Sequence, residues 1–318
     1  MENFETIPAD QFYIPIDLLD DTVTSTPEYT PPALKAGAYE VGVQPIFAQD
    51  FRPDAFRGAV RPLPENIGRL LYRTDTFDPL DTVGSQYQPV QNADAYMTAW
   101  EAIIPVVPGH VLETAEITEY VERNGGFFRC DINFPDYSCK VRQFDGSFAE
   151  VNLRVIIVNV HGQSSTRIIV GAVDQSCDNI MVFDEVTAPE TRRTTGFNFE
   201  GLINTLRNDI RQFELHAKEL NSWARKGIDE DAFQRVLKRN NFSANQIEKL
   251  VEKFHDEAEV RGYTLWAAWS ALTAWSSHAD EFYVRNSANV DNEAESLTKR
   301  MYKVSKVLGS PAFSAVLS

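Results

Sequence analysis

Most of the patterns that announce a chemistry are missing from this sequence. Its 318 residues contain no GxxxxGK[ST], no GxGxxG, no CxxC, no HExxH and no GxSxG. These absences remove the phosphate loop, the dinucleotide fingerprint, the paired-cysteine site, the zinc-protease helix and the nucleophile elbow. No cofactor is implied, and nothing in the sequence argues for an enzyme. Cysteine is scarce: Cys130, Cys139 and Cys177 make an odd, scattered set that predicts free thiols in a reducing, cytoplasmic setting. The five histidines (His110, His161, His216, His255, His278) are spread along the chain. His161 with the three cysteines could form a zinc site, but none of these residues stands at knuckle spacing, and buried strand cysteines account for them more simply. There is no apolar run of 18 residues, so no membrane-spanning helix is expected. The opening MENFETIPADQF lacks a basic stretch before an apolar one, so no secretory signal is expected.

Basic residues are also in deficit. Lys and Arg number 30 against 46 Asp and Glu, a net charge of −16. The imbalance is concentrated in residues 1–135, with 8 basic against 21 acidic, and nearly vanishes in the remainder, with 22 against 25. A strongly negative protein repels phosphate backbones at long range, so nucleic acid remains a candidate partner only where cations cluster in the second half.

An apolar share of 43% with 24% charged residues describes a globular chain with a sizeable core. Residues 1–60 are rich in Pro, Thr and acids and read as an extended acidic arm lying over the rest or reaching a partner. Residues 61–190 read as an α+β domain around an antiparallel sheet, and 191–318 as a helical region packing on it. GRLLYRTDTFDPLDTVG predicts two short strands about a turn. Asn92 is placed to cap a helix through Ile103, and ETAEITEYVERN reads as a second short helix. The centre of the chain is the stretch from Phe127 to Phe183. FFRCDINF alternates with period two, Asp145-Gly146 marks a hairpin, and three β-branched runs follow, the pattern of an antiparallel meander. VIIVNV is apolar on both faces, as though helices cover it on each side. Asp174 and Asp178 flank Cys177 in DQSCDN, which reads either as a nucleophile with acidic partners or, more economically, as an Asx turn.

Beyond residue 190 the stripe Leu202, Leu206, Ile210, Phe213, Leu220 predicts one long helix. DAFQRVLKR and a capping box at Ser243–Gln246 predict two shorter ones. This pair has the outline of a helix-turn-helix, but Glu248, Glu252, Asp256 and Glu259 on the second member make a poor major-groove surface, so it reads as packing. Trp266, Trp269, Leu272 and Trp275 predict a core helix, and the tail predicts one more amphipathic helix.

The alternation assigns Arg129, Lys140, Arg142 and Arg154 to outward faces, with Phe127, Phe144 and Phe148 among them. Cations interleaved with rings are what single-stranded nucleic acid uses, charge for the phosphates and rings for stacked bases. Arg192 and Arg193 extend the basic character beyond the sheet. The alternative is a solvated sheet face whose phenylalanines tuck under a helix.

Several segments together resemble the phage- and plasmid-borne family called domain of unknown function 932. They are Tyr87 with Val90-Gln91-Asn92, Asp145-Gly146-Ser147, Cys177 with Asn179, and Thr264, Trp266, Ala271, Thr273 and His278, in that order over about residues 68–312. The arginine usual before the Cys-Asn pair is Asp174 or Gln175 here, and the usual Asn-Gly is Asn179-Ile180. The resemblance implies a protein of mobile elements, near replication and recombination functions, with a fold-level analogy to single-strand annealing proteins of the Red-beta and Erf kind. Two readings follow. One is a DNA-metabolism protein that binds or anneals single-stranded DNA without a cofactor, as a homo-oligomer alongside phage or host replication proteins. The other is an acidic interaction factor, a DNA mimic or host-directed inhibitor. A continuous basic groove favours the first; salt-bridged arginines under a helix favour the second.

Overall fold

The computed structural model describes residues 29–47, 66–162, 166–182, 199–278 and 292–317. Arg192 and Arg193 lie outside them. Among these residues two antiparallel sheets and eight helices form, the expected α+β architecture. The smaller sheet runs β1 (Val41–Phe47), β2 (Asn66–Arg73) and β3 (Pro79–Val83) in chain order. The larger is a five-stranded meander, β4 (Glu116–Glu122), β5 (Phe127–Arg142), β6 (Phe148–Val160), β7 (Arg167–Asp174) and β8 (Asn179–Val182). The helices are α1 (Asn92–Ile103), α2 (Gly109–Leu112), α3 (Phe199–Trp223), α4 (Glu230–Arg239), α5 (Ala244–Arg261), α6 (Leu265–Ser277), α7 (Glu293–Leu308) and α8 (Pro311–Leu317).

The two faces of β5–β6 differ as the alternation requires. Phe128, Cys130, Ile132 and Phe134 on β5, with Val151, Leu153, Val155 and Ile157 on β6, face the main core, which α1, α3 and α6 close. On the opposite face Phe127, Ile156, Val158, Ile169 and Val182 pack against Ala294 and Met301 of α7. VIIVNV is therefore covered on both sides, as its composition demands. The aromatic stripe is core: Trp266 and Trp269 are fully buried, and Trp223 and Phe313 pack edge-on to one another and around Trp269.

Three sequence expectations change. ETAEITEYVERN contains a strand, β4, in place of a helix. Arg123, Asn124 and Gly125 take φ of 53°, 55° and 101°, closing a tight turn that lays Glu116–Glu122 along Phe127–Asn133. Ladder pairing with a buried strand outweighs the helical preference of a short piece that could not hold a helix alone. Asn92 does not cap α1. It is the first helical residue, and its buried amide donates to Gly37 O and accepts from Asn159 Nδ2 at 2.7 Å. The tail forms two helices, α7 and α8, where one was expected, because Gly309 and Pro311 break it.

The described part of the N-terminal arm, residues 29–47, lies over the domain. Tyr29 donates to Leu112 O, Pro32 O accepts from Tyr96 Oη, and Lys35 and Gly37 give their amides to the Glu119 carboxylate on β4. Gln91 then pairs both backbone groups of Val41, fixing the start of β1.

Candidate functional site

The register brings the expected cations onto one face and then divides them. Asn133 stands opposite Arg154, Lys140 opposite Glu150, and Arg142 opposite Phe148, with an irregularity in β5 between Phe134 and Ser138. That irregularity restores the parity, so Arg129, Lys140, Arg142 and Arg154 share a side. The half nearest β4 is closed. Arg129 is only 3% exposed and Phe127 only 1%, so neither belongs to an outward surface. Arg129 grips Asp131 with two hydrogen bonds of 2.7 Å and donates to Thr298 of α7, and its guanidinium lies 5.5 Å from the Tyr120 ring. Arg154 reaches the same Asp131 oxygen at 3.1 Å. Burial opposes the charge of Arg129, but Asp131 outweighs it and holds the guanidinium protonated. The phenylalanine at 127 is buried because α7 lies across it, which alternation alone could not foresee.

The other half is open. Lys140 and Arg142 are exposed and make no ion pair among the described residues. Phe144 and Phe148, at and beside the hairpin tip, are 72% and 58% exposed. Asp145 accepts from the amide and hydroxyl of Ser147, and Gly146 takes φ 87°, so the tip is a well-formed turn. The Phe144 ring lies on the α5–α6 junction at Gly262, where an added Cβ would stand 2.8 Å from Phe144 Cγ. Because β4 has ended, the edge of β5 here has no strand partner among the described residues. Asn221 of α3 substitutes for one, accepting from Arg142 N at 3.2 Å and donating to Lys140 O at 3.1 Å.

A second polar cluster escaped the sequence reading. Arg261 at the end of α5 bridges two buried carboxylates, Asp174 Oδ2 at 2.7 Å and Glu257 Oε2 at 2.9 Å. Glu257 accepts from Ser270 Oγ, and Asn179 Nδ2 contacts the same serine's hydroxyl and carbonyl. His278 Nε2 lies 2.9 Å from both Asn179 Oδ1 and Cys177 O. The partners come from β7, β8, α5 and α6, so no local motif could reveal them. The Asx-turn reading of DQSCDN holds, since Asp174 accepts from both the amide and the hydroxyl of Ser176. Burial, reinforced by Asp174, pushes the Cys177 thiol up to about 11, so it is a protonated thiol and a poor nucleophile at neutral pH. Peptide-resolved alkylation with iodoacetamide at pH 8 should accordingly run roughly two orders of magnitude slower at Cys177 than at an unperturbed thiol, and accelerate tenfold per pH unit. A flat pH profile between 8 and 10 would contradict this. Cys130 is wholly buried in the main core, and its thiol too is raised by burial. No group of three or more His, Cys, Asp or Glu among the described residues is arranged to hold a metal. No helix among them is long and apolar enough to cross a membrane.

Fold and site thus define an α+β protein built on a helix-covered antiparallel meander with one open hairpin end. The chain belongs to the family described as Domain of unknown function (DUF932), whose model matches residues 79–301. Every motif residue from Tyr87 to His278 falls within that match. No curated protein and no solved structure matches the chain.

Proposed function

We propose that this protein binds single-stranded DNA through the open end of the β5–β6 hairpin, in the manner of a phage or plasmid protein of replication or recombination. The observation that carries this reading is that two exposed phenylalanines, Phe144 and Phe148, stand at one hairpin end with Lys140 and Arg142, exposed cations that make no ion pair among the described residues. Rings of this kind stack on bases whatever their sequence, and cations beside them neutralise phosphates. The groove is shorter than the whole face, since Arg129 and Phe127 are enclosed. Fluorescence anisotropy with a labelled oligonucleotide at about 50 mM salt should detect binding that weakens steeply as salt rises. Phe144→Ala with Phe148→Ala should cost roughly ten- to hundredfold in affinity. Lys140→Glu with Arg142→Glu should cost at least as much and flatten the salt dependence. No binding at 50 mM salt, or variants equal to wild type, would sink the reading.

One observation favours the second reading, an acidic interaction factor. Arg129 and Arg154 converge on Asp131 under α7, so half of the expected basic face is neutralised and closed. In the acidic first part of the chain, Phe77 is 75% exposed and stacks on Tyr72 at 6.2 Å among Asp75 and Asp78. An exposed ring backed by a half-buried one, beside Asp78 and the Arg73–Asp75 ion pair, suits a protein surface better than a phosphate backbone. Pull-down from host lysate with wild type and Phe77→Ala distinguishes it: the reading requires a stoichiometric partner that the variant loses.

A further inference from the structure

Between the closed and open halves of the β5–β6 face lie polar atoms that find no hydrogen-bond partner among the described residues. Asn152 on β6 is 0% exposed, and neither its Nδ2 nor its Oδ1 has a hydrogen-bond partner among the described residues. Two residues along, Arg154 uses Nη2 on Asp131, while its buried Nε finds nothing. Directly across the ladder from Arg154, Asn133 donates Nδ2 to Glu116 at 3.3 Å and leaves a buried Oδ1 without a partner. The three residues share one side of the sheet, beside the irregularity where β5 swings away between Phe134 and Ser138. Three neighbouring residues with orphaned buried groups are costly and call for a reason.

The chemistry of the set is specific. It offers two donors, Arg154 Nε and Asn152 Nδ2, and two acceptors, Asn152 Oδ1 and Asn133 Oδ1. A phosphate carries acceptors only and would leave both amide oxygens unmatched. The edge of a nucleobase carries donors and acceptors side by side, and an asparagine amide is the side chain that pairs with such an edge in two hydrogen bonds. The Watson–Crick edge is free only in an unpaired strand, and only an unstacked base can leave the helix to enter a site enclosed this far. Asn133 and Arg154 are only partly buried and form the rim, and Asn152 lies deepest.

The geometry points to a base-reading site at Asn152, Arg154 and Asn133, which takes one unpaired base of a strand held by Lys140, Arg142 and the two phenylalanines. The assignment rests on the single-strand reading and adds to it a discriminating subsite. The test is an anisotropy titration of the full chain with labelled dA, dC and dT homopolymers and an abasic strand of equal length, comparing wild type with Asn152→Leu. Wild type should prefer base-bearing strands to the abasic strand, and one base over the others by roughly tenfold or more. In Asn152→Leu, and in Asn133→Ala at the rim, that ratio should fall to near one. The melting temperature of Asn152→Leu should stay level or rise, because the amide removed had no partner to lose. An unchanged base preference in both variants overturns this inference alone. A sharp fall in melting temperature overturns it too, marking Asn152 as the holder of a structural water. Failure of every strand to bind wild type overturns it together with the single-strand reading.

Discussion

Replacing Arg261 by alanine should destabilise the protein by about 3–5 kcal/mol, read as a shift of the urea unfolding midpoint at unchanged slope. Arg261 is 5% exposed and spends one guanidinium nitrogen on Asp174 and another on Glu257. Burial works against its charge, but Glu257 and Asp174 outweigh that and keep it protonated. Without it, among the described residues the Asp174 carboxylate keeps the Ser176 amide and hydroxyl, and Glu257 keeps Ser270 and a 3.8 Å contact to Lys253. Two carboxylates would then sit out of water beside each other with no counter-charge, the arrangement that makes breaking a buried pair so much costlier than forming it is helpful. Arg261→Lys should fall between, since one ammonium cannot span two carboxylates as a fork does. A loss below about 1 kcal/mol for the alanine variant would mean that water enters and that the cluster is no structural joint.

The motif residues form buried ties of a similar kind elsewhere in the fold. Gln91 and Asn92 hold the start of β1 and the turn at Gly37 onto the larger sheet. Tyr87 Oη accepts from Gly162 N at the end of β6. Asn179 and His278 tie β8 to α6, and Thr264 caps α6 while bonding back to Arg261 O. The residues most recognisable in the sequence are thus buried polar ties between elements distant along the chain. The cation beside the Cys177 loop is supplied from α5 by Arg261.

The sheet and its helices were legible because their signals are local. Alternation in FFRCDINF, the Asp-Gly turn and the capping box at Ser243 each need only a few neighbouring residues, and each is present. The two-sided apolarity of VIIVNV even announced a covering helix. What the sequence could not say was which helix and how far it reached. α7 is more than a hundred residues from β5, and only its crossing separates buried Arg129 and Phe127 from exposed Arg142 and Phe148. The strand at Glu116–Glu122 was missed for a related reason, because its identity depends on a partner strand and not on its own propensity. Likewise nothing local marks Asn152 as unsatisfied or Arg261 as a bridge.

The arginines beneath α7 give the second large effect. Asp131→Ala should cost about 3–5 kcal/mol, since it strands two guanidiniums in a site where Arg129 is 3% and Asp131 1% exposed. The joint replacement Arg129→Met, Asp131→Leu, Arg154→Met should behave oppositely, folding with wild-type stability or up to about 4 kcal/mol more, because apolar side chains of similar size spare the desolvation of three charges. Thermal and urea unfolding of the two variants test the contrast. If the triple variant loses as much as Asp131→Ala, the ions shape the packing of α7 and cannot be replaced by volume. If it is as stable as predicted, the fold does not require the triad, and its presence calls for another reason. Arg154 supplies one: it belongs both to the triad and to the base-reading cluster, with Nη2 on Asp131 and Nε free to donate. The triad then works as a clamp that holds Arg154 in place at the rim beside Asn133 and Asn152. The stable triple variant should therefore lose base discrimination while Lys140, Arg142 and the two phenylalanines still bind the strand.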